Sequence, residues 1–120
     1  MTTILTVDDS TSMRQMVSYT LGDAGFEVAE AVDGQDALEQ AQQQTFQLVL
    51  ADVNMPRMDG ITLIHALRQL PAYRFTPLLM LTTESAAHRK AEGRAAGATG
   101  WIVKPFDPQQ LIAVVQRVLG

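Results

Sequence analysis

The sequence contains no cysteine, which excludes disulfides, thiolate metal ligands and cysteine nucleophiles. Aromatic residues make up only 6% and charged residues 18% of the chain, and no apolar run reaches the length of a membrane span. Hydrophobic residues, in contrast, account for 47% of the 120 positions, which is enough for the core of one folded domain. These features predict one soluble domain in a reducing compartment, which we expect to be the cytoplasm.

Basic residues are in the minority. Nine Lys and Arg stand against 13 Asp and Glu, so the formal net charge is −4. A nucleic-acid-binding domain normally carries an excess of basic residues, and this balance argues against nucleic acid as a partner. At the N-terminus, Asp8 and Asp9 follow only a few apolar residues, which is untypical of a signal peptide. We therefore expect neither a nucleic acid nor a membrane among the partners.

Short apolar runs rich in β-branched residues alternate with segments of helical spacing. The runs lie at residues 4–7, 26–31, 47–51, 78–81 and 99–103, and each is too short for a helix. Between and after them, Asp33, Asp59 and Asp107 stand where the N-caps of three helices are expected. Strands that alternate with helices run parallel through right-handed crossovers. The sequence therefore predicts an α/β three-layer sandwich around a five-stranded parallel sheet.

Polar residues follow the predicted strands at their carboxyl ends. Asp8 and Asp9 follow the first strand, Asp52 the third, Thr82 the fourth and Lys104 the fifth. In an open parallel sheet, the site lies beyond these ends, where the strand order reverses. With strand order 2-1-3-4-5, the three carboxylates converge. Because like charges at such separations need a cation among them, we predict a hard divalent ion there, Mg²⁺ or Mn²⁺.

A carboxylate beside a divalent metal, a lysine and a hydroxyl is suited to phosphoryl transfer onto that carboxylate. The metal and Lys104 would neutralise the oxygens of the moving phosphoryl group, and Thr82 would donate a hydrogen bond to one of them. We predict Asp52 as the nucleophile, because a carboxylate is already ionised at neutral pH and requires no general base.

Two other functional classes use similar residues or the same fold. A phosphohydrolase of the haloacid-dehalogenase type would carry its nucleophile in an Asp-x-Asp motif after the first strand, whereas Asp52 follows the third. A flavin-binding module would need a phosphate-cradling loop where Asp8 and Asp9 stand. Both are weaker interpretations than phosphoryl acceptance.

These motifs together resemble those of response-regulator receiver domains, and specifically the single-domain regulators of chemotaxis. The resemblance covers essentially the whole chain and rests on Asp8-Asp9, Asp52, Thr82, Lys104-Pro105 and the segments DVNMPRMDG (52–60) and GATGWIVKPF (97–106). It implies the flavodoxin-like fold, one receiver domain over residues 1–120, and no output domain.

The resemblance also implies roles for residues around the acidic cluster. Asp52 would be the phosphoacceptor, and Asp9 and Asp52 would bind Mg²⁺ directly. Asp8 would assist through water, and the backbone carbonyl of Asn54 would complete the protein ligands. The side chains of Asn54 and Glu84 are either modulators of dephosphorylation or plain loop residues.

Further roles implied by the resemblance fall on the last two strands. Thr82 is similar to the switch hydroxyl of the family and Lys104 to its phosphate-binding lysine. The Lys104-Pro105 peptide bond is expected to be cis. Trp101 occupies the position where the family usually has a switch tyrosine or phenylalanine, so this larger ring is a departure from the pattern.

The implied function is a phosphorylation switch with slow self-dephosphorylation, and not an enzyme. A sensor histidine kinase of the chemotaxis type would supply the phosphoryl group. A downstream protein, with the flagellar motor switch as one candidate, would bind the face formed by helix 4, strand 5 and helix 5. A phosphorelay receiver and a phosphate sink fit the sequence equally well. We expect a monomer, or a dimer that forms on phosphorylation.

Overall fold

The computed structural model of the chain describes residues 2–83 and 89–120. Its strands and helices alternate along the chain in the order β1 (Thr3–Val7), α1 (Thr11–Asp23), β2 (Glu27–Ala31), α2 (Gly34–Gln43), β3 (Leu48–Asp52), α3 (Gly60–Arg68), β4 (Leu78–Thr83), α4 (Arg89–Ala96), β5 (Gly100–Lys104) and α5 (Pro108–Leu119). A 3₁₀ turn, Pro71–Tyr73, lies between α3 and β4. The predicted start of the fourth helix, at Ser85, lies outside the described residues.

The five strands form one parallel sheet in the order β2-β1-β3-β4-β5, which confirms the predicted fold class. The strands β1 and β3 are neighbours, with Val7 opposite Ala51. The residues that come next, Asp8 and Asp52, therefore emerge at the same edge of the sheet. No helix among the described residues has both the length and the apolar character needed to cross a bilayer.

Apolar side chains cover both faces of the sheet, because its central strands are apolar on both sides. All five residues of β3 are buried. On one face, Val49 and Leu78 belong to a cluster that includes residues of α2 and α3. On the other, Leu48 and Leu79 belong to a cluster with residues of α1 and α5. The predicted three-layer arrangement follows from these two cores.

N-caps fix the starts of the helices. The side chain of Asp33 accepts a hydrogen bond from the N–H of Asp36 at 2.9 Å, and the predicted caps Asp59 and Asp107 make the same type of bond. Ser10 caps α1 in this way as well. These bonds satisfy N–H groups that have no partner within their helices, so each strand leads into its helix at a defined residue.

The strand β4 is longer than the sequence predicts, because it continues through Thr82 to Thr83 instead of ending at Leu81. Its last two residues pair with Val103 and Lys104 of β5. The edge strand β5 thus supplies backbone hydrogen-bond partners to Thr82 and Thr83, although the apolar run of β4 ends at Leu81. Thr82 is consequently part of the sheet.

Tyr73 closes the end of the molecule that is opposite to the carboxyl ends of the strands. Its side chain is fully buried, and its hydroxyl accepts a hydrogen bond from the N–H of Phe46 at 3.2 Å. The same hydroxyl lies 3.0 Å from the carbonyl oxygen of Ala41 and 2.9 Å from that of Gln44, at the end of α2. Burial raises the pKa of Tyr73, so this hydroxyl stays protonated and able to donate.

Candidate functional site

The three predicted carboxylates converge at the carboxyl ends of β1 and β3. Asp8, Asp9 and Asp52 each place one carboxylate oxygen within 4.8 Å of the others. Asp8 is 1% and Asp52 is 8% exposed, whereas Asp9 lies at the exposed rim. The sheet register brings Asp8 and Asp52 together, and Asp9 follows Asp8 into the loop before α1.

Lys104 approaches this cluster from the end of β5. Its Nζ lies 2.9 Å from Oδ1 of Asp52 and 3.7 Å from Oδ2 of Asp8. The pairing of Lys104 with Thr83 sets this approach, since it places the lysine at the same edge of the sheet as the acids. The structure therefore brings together Asp8, Asp9, Asp52 and Lys104, as the sequence predicts.

One lysine does not balance three carboxylates. Burial raises the pKa of Asp52, the hydrogen bond and charge of Lys104 lower it, and the charges of Asp8 and Asp9 raise it further, so that its pKa lies above the ordinary value. Oδ1 of Asp8 accepts a hydrogen bond from the N–H of Ser10 at 2.9 Å. Oδ2 of Asp8 is buried and accepts no hydrogen bond from the residues that the structure describes.

A buried carboxylate oxygen without a donor, inside an acidic cluster, fits a divalent cation. Mg²⁺ and Mn²⁺ prefer oxygen ligands, and Asp8, Asp9 and Asp52 supply carboxylate oxygens close enough to share one ion. Asn54 lies in the loop that follows β3, two residues after Asp52, with an exposed side chain. Glu84 lies outside the described residues.

Thr82 lies near the cluster in the sheet, and its hydroxyl is hydrogen-bonded to a neighbouring peptide. The side chain is 2% exposed, and Oγ1 donates a hydrogen bond to the carbonyl oxygen of Thr83 at 2.9 Å. Its strand neighbour Leu81 is in register with Asp52. A rotation of the Thr82 side chain would release the hydroxyl from this peptide, while the backbone stays in the sheet.

Trp101 is half-buried on the edge strand β5. Nζ of Lys90 lies 5.3 Å and Cζ of Arg94 lies 5.0 Å from the centroid of its ring, which is the geometry of cation–π contacts. With Ala91 and Ala95, these residues line an open groove of about 520 Å³. This pairing was not predicted from the sequence, although the i, i+4 spacing of Lys90 and Arg94 on α4 places both on one face of the helix.

The loop that follows β3 is tied to α2 by a contact that the sequence analysis missed. Nε of Arg57 donates a hydrogen bond to Oδ2 of Asp33 at 2.8 Å, and Arg57 has a left-handed φ of 67°. The N–H of Asp36 lowers the pKa of Asp33, burial opposes this, and Arg57 lowers it further, giving a net decrease. The sequence indicated only the capping role of Asp33. At the other side of the site, the Lys104-Pro105 peptide bond is cis, as expected.

Comparisons with known proteins agree with this architecture. A family model described as the response regulator receiver domain matches residues 4–116. Two solved structures of the chemotaxis protein CheY4 of Vibrio cholerae have a TM-score of 0.94 and 54% identity to this chain, over 98% of each chain. A putative response regulator of Chloroflexus aurantiacus has a TM-score of 0.94 and 37% identity, over 98% of this chain and 97% of its own.

Among curated proteins, the transcriptional regulatory protein SrrA of Staphylococcus aureus is 36% identical over 116 residues, which is 97% of this chain and 47% of SrrA. The chain thus spans about half the length of the curated relatives it matches. Receiver domains take up phosphoryl groups at an acidic pocket that uses Mg²⁺, and the cluster of Asp8, Asp9 and Asp52 is such a pocket in composition. Since the family model covers nearly every residue and the fold agrees with solved relatives, this chain belongs to the receiver domains of two-component response regulators.

Proposed function

We propose that this chain is a phosphorylation switch in which Asp52 takes a phosphoryl group from a histidine kinase in a Mg²⁺-dependent step. The observation that carries the proposal is the position of Asp52. Its carboxylate is nearly buried, lies within 4.8 Å of two other carboxylates and accepts a hydrogen bond from Lys104 at 2.9 Å. Such a group is held in place and partly desolvated before any phosphodonor arrives.

The proposed step exchanges one bond to phosphorus for another. A carboxylate oxygen of Asp52 attacks the phosphorus of a phosphohistidine, the N–P bond breaks, and the imidazole leaves and takes a proton from the solvent. Asp8, Asp9, Asp52 and the backbone carbonyl of Asn54 would hold the Mg²⁺. When bound, this ion supplies positive charge that neutralises the phosphoryl oxygens.

Two further side chains would bind the oxygens of the transferred phosphoryl group. The ammonium of Lys104, 2.9 Å from Oδ1 of Asp52, would bind a phosphoryl oxygen after transfer. Thr82 would release the carbonyl of Thr83 and donate its hydroxyl hydrogen to another oxygen. Because Asp52 is only 8% exposed, water reaches the acyl phosphate slowly, which supports slow self-dephosphorylation and a switch that is not an enzyme.

The output of the switch would leave through the face formed by α4, β5 and α5. Gly93 is the one buried residue in the described part of α4, so this helix packs with little apolar area. Elements with low local stability are the ones that move in switches. Trp101, beside α4, would turn inward after Thr82 moves, and the face would change its shape for a downstream protein.

Chemotaxis is the pathway that we propose. Its support is the 54% identity to the chemotaxis protein CheY4 over 98% of both chains, compared with 36% to the transcriptional regulator SrrA over half of that protein. In this proposal the chain acts in the cytoplasm, normally as a monomer, or as a dimer when phosphorylated. A CheA-like kinase would phosphorylate it, and the flagellar motor switch would be its target.

Acetyl phosphate tests the assignment of Asp52. With Mg²⁺, intact-protein mass spectrometry should detect one added phosphoryl group on the wild type and none on Asp52→Asn. Asp107→Asn is the matched control, since Asp107 is exposed at the start of α5 and asparagine caps a helix as well as aspartate. Labelling that persists in Asp52→Asn excludes Asp52 as the acceptor, and turnover of many phosphate esters per protein would instead support a phosphohydrolase.

The choice of pathway needs a separate measurement. We expect a chemotaxis histidine kinase to transfer its phosphoryl group to this chain faster than a sensor kinase that serves a transcriptional regulator. Equal or reversed transfer rates would favour a phosphorelay receiver or a phosphate sink. This result would leave the role of Asp52 intact.

A further inference from the structure

Arg14, near the start of α1, has no part in the chemistry proposed above, yet its side chain folds back to the acidic site. Its side chain is only 12% exposed. One nitrogen, Nη1, donates a hydrogen bond to the backbone carbonyl of Asp8 at 2.6 Å. Nε donates to Oε1 of Glu30 at 3.2 Å, and Nη2 donates to the hydroxyl of Thr11 at 3.4 Å. One side chain thus joins β2, the loop after β1 and the first turn of α1.

The bond to Asp8 restrains the peptide that leads to Asp9. A short hydrogen bond from a charged, planar guanidinium is strong and strongly directional. The side chain of Asp8 is held separately, because its Oδ1 accepts a hydrogen bond from the N–H of Ser10. With carbonyl and carboxylate both anchored, the Asp8-Asp9 peptide plane is fixed. The backbone of Asp9 is thereby restrained, and with it the direction from which its carboxylate approaches the cluster.

Glu30 gives the guanidinium a partner on β2. Its backbone lies in β2, in register with Thr6 of β1, so its position is set by the sheet. Arg14 therefore adds a second link between this loop and β2, beside the hydrogen bond from the N–H of Asp8 to the carbonyl oxygen of Ala31 at 3.1 Å. This is the arrangement by which a second layer of contacts orients metal ligands.

We infer that Arg14 is a positioning residue that sets the divalent-metal affinity of the acidic site. This inference rests on the proposed function only in requiring that Asp8, Asp9 and Asp52 bind Mg²⁺. Charge and geometry make opposite predictions for Arg14. A nearby cation repels Mg²⁺, so through its charge alone Arg14 would weaken metal binding, whereas by ordering Asp8 and Asp9 it strengthens it.

Titration calorimetry of the metal-free protein with MgCl₂ separates these effects. We expect Arg14→Met to bind Mg²⁺ about tenfold more weakly than the wild type. Arg14→Lys keeps the charge but loses the planar fork, and should fall between the two. Glu30→Gln is the matched control, because glutamine still accepts from Nε and leaves the bond to Asp8 in place. It should stay within about twofold of the wild type.

Thermal unfolding in EDTA identifies a merely structural role, which would lower the melting temperature of Arg14→Met without changing its Mg²⁺ affinity. Equal or tighter Mg²⁺ binding by Arg14→Met overturns the inference. If Arg14→Met does not fold, Arg14→Lys decides, since binding as tight as in the wild type overturns it and weaker binding supports it. A wild type that binds no Mg²⁺ at all refutes the metal assignment of the proposed function, and the inference falls with it.

Discussion

Replacing Asp8 with asparagine should make the metal-free protein more stable and less responsive to Mg²⁺. Asparagine has the shape of aspartate, and its side-chain oxygen can still accept the hydrogen bond from Ser10. What disappears is a buried negative charge within 4.8 Å of Asp9 and Asp52. The contact of this charge with Lys104, at 3.7 Å, disappears as well.

The size of the effect follows from these distances. With an effective dielectric constant of about 20, each carboxylate pair within 4.8 Å costs at least about 3 kcal/mol, and the lysine contact at 3.7 Å contributes about 4 kcal/mol in the opposite direction. Two repulsions therefore exceed one attraction. Screening at the exposed Asp9 reduces the difference, and we expect a free energy of unfolding higher by about 1–2 kcal/mol.

Thermal unfolding in EDTA and in saturating MgCl₂ is the assay. In EDTA, Asp8→Asn should melt about 4–8 °C above the wild type. Mg²⁺ at 100 times its dissociation constant should raise the free energy of unfolding of the wild type by about 2.7 kcal/mol, and that of the variant by less. The exposed Asp107→Asn should behave as the wild type in both conditions. A variant that is destabilised in EDTA, or gains as much from Mg²⁺ as the wild type, would refute the account of the cluster.

The remaining predictions concern stability away from the cluster. Tyr73→Phe removes a hydroxyl that lies within hydrogen-bond distance of one buried N–H and two carbonyl oxygens. In urea unfolding, this variant should lose about 1–3 kcal/mol of the free energy of unfolding, whereas Tyr19→Phe, at an exposed position, should lose less than about 0.5 kcal/mol. Equal losses in the two variants would contradict this prediction. Asp33→Ala should lose about 1 kcal/mol more than Asp33→Asn, which keeps the helix cap. Because the pKa of Asp33 is lowered by folding, its ionised form stabilises the protein above the unfolded pKa of about 3.9, and this contribution is lost as pH falls through the folded pKa. The difference in stability between wild type and Asp33→Asn should therefore be complete at neutral pH and vanish in acid; a pH-independent difference would show that the charge plays no part.

The sheet order and the acidic cluster could be predicted because both follow from local pattern and general topology. Each apolar run is bounded by a capping or turn residue, and parallel order brings the ends of β1 and β3 together without knowledge of any side chain. The convergence of Asp8 and Asp52 needs only this register. Lys104 was predicted in the same way, from its place at the end of the fifth strand.

Contacts between long side chains could not be predicted in this manner. Arg14 and Glu30 are 16 residues apart, and Arg57 and Asp33 are 24 apart, so no periodicity links them. Their pairing depends on rotamers and on how far each helix is displaced along the sheet. The extension of β4 to Thr83 was missed for a related reason, since its last residues are held by β5 and not by their own apolar pattern.

The extension of β4 also limits which movements of Thr82 are possible. Its peptide is fixed against the neighbouring strand, so the hydroxyl has a single freedom, which is rotation about the Cα–Cβ bond. The torsion angle about this bond, χ1, occupies a few staggered rotamers, and intermediate values are rarely populated. A receiver that transmits through this hydroxyl would report phosphorylation as an all-or-none change in each molecule, and graded cellular responses would arise from the number of molecules that have changed.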